Sequence, residues 1–251
     1  MSRPVALVTG ARRGIGAAIA LELAKTHDLA LTDYVLDEAS DAVERACEAL
    51  GARTVFTEHD SAEVSAHPLL ISDIFARFGH LDVLVNSAGI GAPVRGDLLD
   101  LVPENFDRVM NVNLRGAAFL CIAAANAMLA HKTGSCIILI TSVSASHASP
   151  ERADYCISKA GLSMFGQNLA LRLAPENIAV FELRPGIIKT EMTAGVSAKY
   201  DAAIAGGLVP MQRWGTPKDI AKSVAALASG AFHFATGSII QTDGGLSIAK
   251  L

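Results

Sequence analysis

The stretch PVALVTGARRGIGAAIALELAK, residues 4–25, runs from a continuously apolar segment through a glycine-rich turn into a helix pattern. An apolar run without alternation reads as a parallel strand covered on both faces, because neither face meets water. Gly10, Gly14 and Gly16 permit a tight turn and close backbone approach. The helix behind them presents free N–H groups and the positive end of its dipole. Gly10, Gly14 and Gly16 therefore form a candidate cradle for a dinucleotide pyrophosphate, and Arg12, Arg13 and Ile15 of the same turn are candidate cofactor-binding residues. A plain strand-to-helix turn would explain any one of these glycines, but the strand before and the helix after favour the cradle. The GxxxGxG spacing departs from the GxGxxG dinucleotide fingerprint.

Working outward, six more short runs alternate with long helical patterns: DLALTDY (28–34), RTVFTE (53–58), LDVLVNSAG (81–89), SCIILITS (135–142), IAVFELRPG (178–186) and GSIIQTDGG (237–245). Seven strands with helical crossovers predict a doubly wound parallel α/β sheet of Rossmann type. Residues 1–251 read as one dinucleotide-binding and catalytic domain, because no linker, repeat or low-complexity stretch divides them. In such a sheet the ligand crevice lies at the carboxyl ends of the strands. The residues just after each apolar run are therefore the ones to inspect.

Composition narrows the partners. The 251 residues are 51% hydrophobic with a net charge of −4, and their lysines and arginines are dispersed. Neither nucleic acid nor an anionic membrane is expected, and a small molecule is. Cys47, Cys121, Cys136 and Cys156 form no CxxC pair and lie in apolar patterns, which predicts buried reduced thiols and a cytoplasmic setting. The first residues, MSRPVALVTG, lack the apolar core of a secretory signal. The longest apolar run, residues 116–130, reads as too short to span a bilayer and as a helix buried in protein. The ending Ala249-Lys250-Leu251 resembles a variant of a peroxisomal address, a match that three residues reach easily by chance.

Strand two ends at Asp33, where an acid can accept hydrogen bonds from the adenosine ribose and repel a 2′-phosphate. Tyr34 rather than a basic residue follows, so NAD is expected over NADP. Arg12 and Arg13 oppose this, since either could pair with a 2′-phosphate.

The segment SVSASHASPERADYCISK, residues 142–159, places Ser142 after an apolar strand and Tyr155 and Lys159 one helical turn apart. Singly, each reads as a cap, an amphipathic residue or a solvated charge. Together they have a chemical use. A phenol with a reference pKa of about 10 needs a nearby cation to act near neutrality, and a serine hydroxyl can hold the substrate oxygen meanwhile.

In their order along the chain these motifs resemble the short-chain dehydrogenase/reductase family over essentially the whole length. They are TGxxxGxG at Thr9 to Gly16, Asp60 after strand three, NSAG at Asn86 to Gly89, NVNLRG with Asn113, Ser142, YxxxK at Tyr155 to Lys159, and PGIIKT at Pro185 to Thr190. The resemblance implies a tetrad: Tyr155 as acid/base, Ser142 on the substrate oxygen, Lys159 on the nicotinamide ribose, and Asn113 behind a relay water. It further implies that Asp60 contacts adenine and that the backbone of Asn86, Ala88 and Gly89 lines the adenosine ribose. Pro185, Gly186, Ile188 and Thr190 are implied at the nicotinamide, with Ile188 and Thr190 on its carboxamide. Ser87 stands where the family usually has asparagine. Within the family the chain is most similar to bacterial members labelled 3-oxoacyl-acyl-carrier-protein reductases, although Asp33 sits poorly with an NADPH-dependent role.

No metal is expected, because the seven histidines are scattered and no HExxH occurs. No GxSxG elbow marks a hydrolase. A dinucleotide-binding sensor without turnover is the rival of another class. Residues 190–215 read as a flexible loop that closes over substrate, with Met192, Tyr200, Met211 and Trp214 either lining an apolar pocket or packing the loop down. The helix patterns at 113–130 and 155–173 are apolar around much of their circumference. That surplus predicts a twofold contact between subunits. The family resemblance implies a second contact through the last strand, giving a homotetramer.

Overall fold

The computed structural model describes residues 3–132 and 136–249. Seven parallel strands form one sheet in the order β3-β2-β1-β4-β5-β6-β7. They are β1 (Val5–Thr9), β2 (Asp28–Asp33), β3 (Thr54–Glu58), β4 (Val83–Asn86), β5 (Cys136–Ile140), β6 (Ala179–Pro185) and β7 (Ile239–Thr242). All seven expected strands are present. The order reverses between β1 and β4, which opens a crevice at their carboxyl ends.

Side chains of each strand point alternately to two cores. Ala6 and Val8 of β1 face α1 (Gly14–Leu23) and α9 (Pro217–Ala228), while Val5 and Leu7 face the layer that holds α3 (His67–Phe78), α5 (Ala117–His131) and α6 (Ala153–Leu173). Burial on both sides accounts for the unalternating sequence of the strands. The fold thus matches the doubly wound reading.

Two details position the crevice. The buried Thr9 Oγ1 accepts hydrogen bonds from the N–H groups of Ser87 (3.0 Å) and Ala88 (2.9 Å), tying the end of β1 to the loop after β4. In addition, α4 (Pro103–Met110) passes into α5 through a π-helical segment, Asn111–Gly116. A Cβ on Gly116 would lie 1.8 Å from the Ser61 carbonyl oxygen, so this approach requires glycine. The buried His67 Nε2 donates to the Gly116 carbonyl (3.1 Å) and its Nδ1 accepts from His59 Nε2 (3.0 Å). Both rings serve structure, as expected of scattered histidines.

Several expectations need correction. The helix through residues 116–130 is longer than its sequence suggested, because it continues from Pro103 to His131 and is by length and composition alone long enough to cross a membrane. Leu120, Cys121, Ala124, Ala125 and Met128 bury its inner face in the protein core. Cys156 is only partly buried, unlike Cys47, Cys121 and Cys136, whose thiols are pushed up to about 12, chiefly by burial. Residues 190–215 are not a plain loop but carry α7 (Glu191–Ala194) and α8 (Ser197–Ala205). Lys250 and Leu251, two of the three C-terminal residues singled out above, lie outside the described residues.

Candidate active site

The glycine turn has the geometry of a phosphate cradle. Gly10 (φ +66°) and Gly14 (φ +57°) adopt the left-handed region. A Cβ on Gly10 would lie 2.9 Å from Ala88 Cα, and one on Gly16 only 2.0 Å from the Gly10 carbonyl oxygen. Only bare backbone fits there. At the head of α1, Arg13 makes no side-chain cap and the first turn holds no acid, so no side chain of the turn itself caps the positive end of the dipole. By contrast, α2 (Glu38–Ala49) and α9 are closed by the side chains of Asp37 and Thr216. The turn therefore fits a pyrophosphate in chemistry and space.

Asp33 sits at the end of β2 beside this turn. Its Oδ2 accepts from the Arg12 N–H (3.1 Å) and its Oδ1 from the Tyr34 N–H (2.9 Å). Arg12 is ion-paired with Asp37 and stands 3.9 Å from Asp33. Arg13 is ion-paired with Glu191 at the start of α7. Each loop arginine is thus engaged by a carboxylate. The exposed Asp60 accepts from Ala62 N–H (2.8 Å) at the end of β3.

Asn86 turns inward, its Nδ2 donating to the Ala117 carbonyl (2.9 Å), so only its backbone faces the crevice side of the loop. Ser87 keeps the loop attached through its N–H to Thr9, so the departure from the family pattern costs no link at this point. Past β6, a Cβ on Gly186 would meet Asp243 Cα at 2.7 Å, which presses Pro185-Gly186 against the turn after β7. Ile188 is buried in the core, bridged to Gly215 through the backbone groups of its neighbours Ile187 and Lys189, and its carbonyl accepts from Thr193 Oγ1 (2.9 Å). Thr190 caps α7 and lies 3.7 Å from the position of a Cβ on Gly14.

The fold brings Asn113, Ser142, Tyr155 and Lys159 together. Ser142 follows β5 and Tyr155 and Lys159 rise from the first turns of α6, which packs beside it. Ser142 is close enough to the Tyr155 phenol to favour its charged form, and Lys159 Nζ lies 5.8 Å from the Tyr155 ring centroid. The Lys159 ammonium is buried and donates to the Ile140 carbonyl (3.1 Å). Asn113, wholly buried in the π segment, clamps Ile90: its Oδ1 accepts from Ile90 N–H (2.8 Å) and its Nδ2 donates to Ile90 O (2.9 Å) and to Ser158 Oγ (3.2 Å). Glycine at 89 leaves room for this cluster, since a Cβ there would lie 3.2 Å from Asn113 Oδ1 and 3.4 Å from Lys159 Nζ.

The electrostatics are those of an enclosed site. Burial pushes Lys159 down to about 8, opposed by the Glu182 carboxylate. Burial also pushes the Tyr155 phenol up, against the pull of Ser142 and the nearby Arg152 guanidinium. The free protein therefore holds Tyr155 protonated at neutral pH, which differs from the lowering expected from Lys159 alone. Sequence reasoning missed Thr9, Ile90, Ser158 and Glu182, whose roles arise from contacts between distant elements and leave no local pattern.

A doubly wound sheet with this cradle and this cluster defines a nicotinamide-dependent oxidoreductase acting on CH–OH and keto groups. The chain belongs to the short-chain dehydrogenase/reductase family: residues 10–247 match the family model described as enoyl-(acyl carrier protein) reductase. It is 36% identical to versicolorin reductase 1 of Aspergillus parasiticus, covering 96% of this chain and 95% of that one. It is 34% identical to a 3-oxoacyl-[acyl-carrier-protein] reductase of Synechocystis, covering 98% of each. A crystal structure of a 3-oxoacyl-[acyl-carrier protein] reductase from Brucella melitensis in complex with NAD is 55% identical, covers 100% of both chains and superposes with a TM-score of 0.96.

The depressed Lys159 pKa carries a stability consequence. Between about 8 and the ordinary lysine value of about 10.4 the unfolded chain binds a proton that the folded one has lost, so stability rises with pH through that window and the cost is full below it. Lys159→Met, which fills the same volume without charge, is expected to raise the melting temperature at neutral pH by a few degrees. Differential scanning calorimetry of the two proteins at neutral and alkaline pH checks this, and the gain should shrink at alkaline pH.

Proposed function

We propose that the protein transfers a hydride between NAD(H) and a ketone or secondary alcohol, with Tyr155 as the acid/base. The observation that carries this reading is the Tyr155 phenol within the influence of Ser142 and beside a buried lysine ammonium, whose Nζ lies 5.8 Å from the ring centroid. The bound nicotinamide supplies or accepts the hydride. In the reducing direction Ser142 orients the carbonyl oxygen and Tyr155 gives its proton to the oxygen as charge develops there. The Lys159 ammonium stabilises the resulting phenolate. Asn113, by holding Ile90, keeps a polar path through which Lys159 can regain a proton from solvent. These roles fit an acid/base better than a sensor, because a mere binding site has no need to bury an ammonium against a phenol.

Asp33 supports NAD over NADP, and so does the engagement of Arg12 and Arg13 by Asp37 and Glu191. The NAD complex of the Brucella protein points the same way. As a substrate class we infer 3-oxoacyl thioesters, on the names of the Synechocystis and Brucella relatives. The Aspergillus relative is named for a different substrate. Residues 190–215 act as the cover over that substrate. Lys199 of α8 pairs with Glu151 just before α6 (2.9 Å), and Met192 lies near Gly91, which fastens the cover across the crevice. Tyr200 and Trp214 meet edge to face and Trp214 Nε1 donates to Asp201 (2.7 Å), so this pair packs the cover down, leaving the exposed Met192 and Met211 to meet the ligand.

The exposed Phe119 and Ile122 of α5 and Ile157, Met164 and Leu171 of α6 support the twofold contact, and Phe234 and Ile239 near β7 support the second. We infer a homotetramer in the cytoplasm, where the reduced thiols of Cys47, Cys121 and Cys136 persist.

Three measurements test this reading. Tyr155→Phe should lower kcat with a 3-oxoacyl thioester by ~10²–10⁴-fold while NADH affinity, read by fluorescence, stays within a few-fold. Wild-type protein should bind NADH more tightly than NADPH in the same titration, and Asp33→Ala should narrow that gap. Sedimentation equilibrium should return about four chain masses; a stable monomer contradicts the assembly, and a dimer keeps only the α5/α6 contact.

A further inference from the structure

Beneath the candidate site lies a polar cluster that the roles above do not use. Glu182 of β6 is buried, its side chain enclosed between β5 and α6. Its Oε1 accepts from Thr141 Oγ1 (2.6 Å), and Thr141 immediately precedes Ser142. Its Oε2 accepts from Ser163 Oγ (2.6 Å), and Ser163 lies one helical turn after Lys159 on the same face of α6. The Lys159 ammonium in turn donates to the carbonyl of Ile140, the residue before Thr141. One carboxylate thus ties the strand end that carries Ser142 to the helix that carries Tyr155 and Lys159.

The charges close the cluster. Arg184, two residues along β6, donates to Glu182 through Nε (2.6 Å) and to Ser163 Oγ through Nη2 (2.8 Å). Its side chain is 11% exposed against 5% for Glu182, so the arginine reaches the edge and the carboxylate does not. On β5 the facing group is the neutral Thr141, and on β7 Ile239 stands opposite Glu182 in register. Arg184 is ion-paired with Glu182, while Lys159 makes no direct pair with it but stands one helical turn from Ser163, within reach of the carboxylate's charge. An unshared buried ammonium would be costly.

We propose that Glu182 is a positioning residue of this site: it locks Ser142 to the α6 face and serves as the buried counter-charge of the Lys159 ammonium, divided with Arg184. The proposal rests on the assignment of Lys159 to the nicotinamide ribose. Its consequence is that the pH at which Lys159 loses its proton, and with it part of its hold on the cofactor, depends on two residues that touch no ligand.

NADH alone serves as the probe, with affinity read by fluorescence from mildly acidic to alkaline pH. Wild-type affinity should fall as Lys159 deprotonates near about 8. Glu182→Gln preserves shape and an acceptor but removes the charge, so the fall should begin about one pH unit lower, roughly tenfold less protonated Lys159 at a given alkaline pH. Arg184→Gln leaves the carboxylate undivided and should move the fall the other way, and Glu182→Asp should restore the wild-type profile. A purely structural Glu182 would lower melting temperature and affinity evenly across pH with the step unmoved, and that result overturns the proposal. Should Glu182→Gln fail to fold, Arg184→Gln decides by itself: an upward shift supports the coupling, while no shift or a downward one sinks it. Lys159→Met separates the two readings. If the alkaline step persists in that variant, the role of Lys159 is wrong; if it vanishes there yet stays fixed in Glu182→Gln, only the coupling fails.

Discussion

A lysine ammonium held out of water is the constraint around which the rest of the crevice is arranged. Lys159 is buried on the first turns of α6 with one carbonyl, that of Ile140, as its hydrogen-bond acceptor. A buried cation left without compensation would unfold the region or lose its proton. The surrounding choices answer that demand. Glycine at 89 opens space beside the ammonium, Asn113 fixes the backbone of Ile90 next to it, and a carboxylate on the neighbouring strand offsets part of its charge. The same burial acts on the neighbouring Tyr155, whose phenol it pushes up and so keeps protonated in the free protein.

The second constraint is close backbone approach. At Gly10 and Gly116 a side chain would collide with main-chain atoms of another segment, and at Gly16 with the turn's own Gly10 carbonyl, so the glycine turn can close tightly and it and the π segment can be pressed against their neighbours. Thr9 completes the arrangement by accepting from two N–H groups across the reversal of strand order. The candidate cofactor cradle and the Ser142, Tyr155 and Lys159 cluster are thereby held at the same carboxyl end of the inner strands, an arrangement suited to two groups that must meet closely.

The cover formed by α7 and α8 stands apart from this rigid base. It is joined to the cradle by Arg13 with Glu191 and to the head of α6 by Lys199 with Glu151, both exposed pairs that salt weakens. Exposed ion pairs of this kind make and break readily, whereas the buried hydrogen bonds of the base do not. Such a division suits the covering role proposed for this segment.

The sequence by itself determined the parallel sheet, the glycine cradle, Asp33, and the grouping of Ser142 with Tyr155 and Lys159. These rest on local rules: unalternating apolar runs for doubly buried strands, glycine at turns of positive φ, and i, i+4 neighbours on one helix face. The tertiary structure alone decided where the surrounding polar groups go. Asn86 reads as a backbone contact to the ribose, and its side chain is committed to Ala117; Arg12 could pair with a 2′-phosphate, yet Asp37 holds it. Residues 190–215 lacked a strong periodic signal and still form two helices, because Thr190 caps the first and Tyr200 packs the second against Trp214. Glu182 read only as part of an apolar strand. Its meaning comes from Thr141 and Ser163, some forty and twenty positions away, and contacts at that separation are fixed by packing rather than by any pattern along the chain.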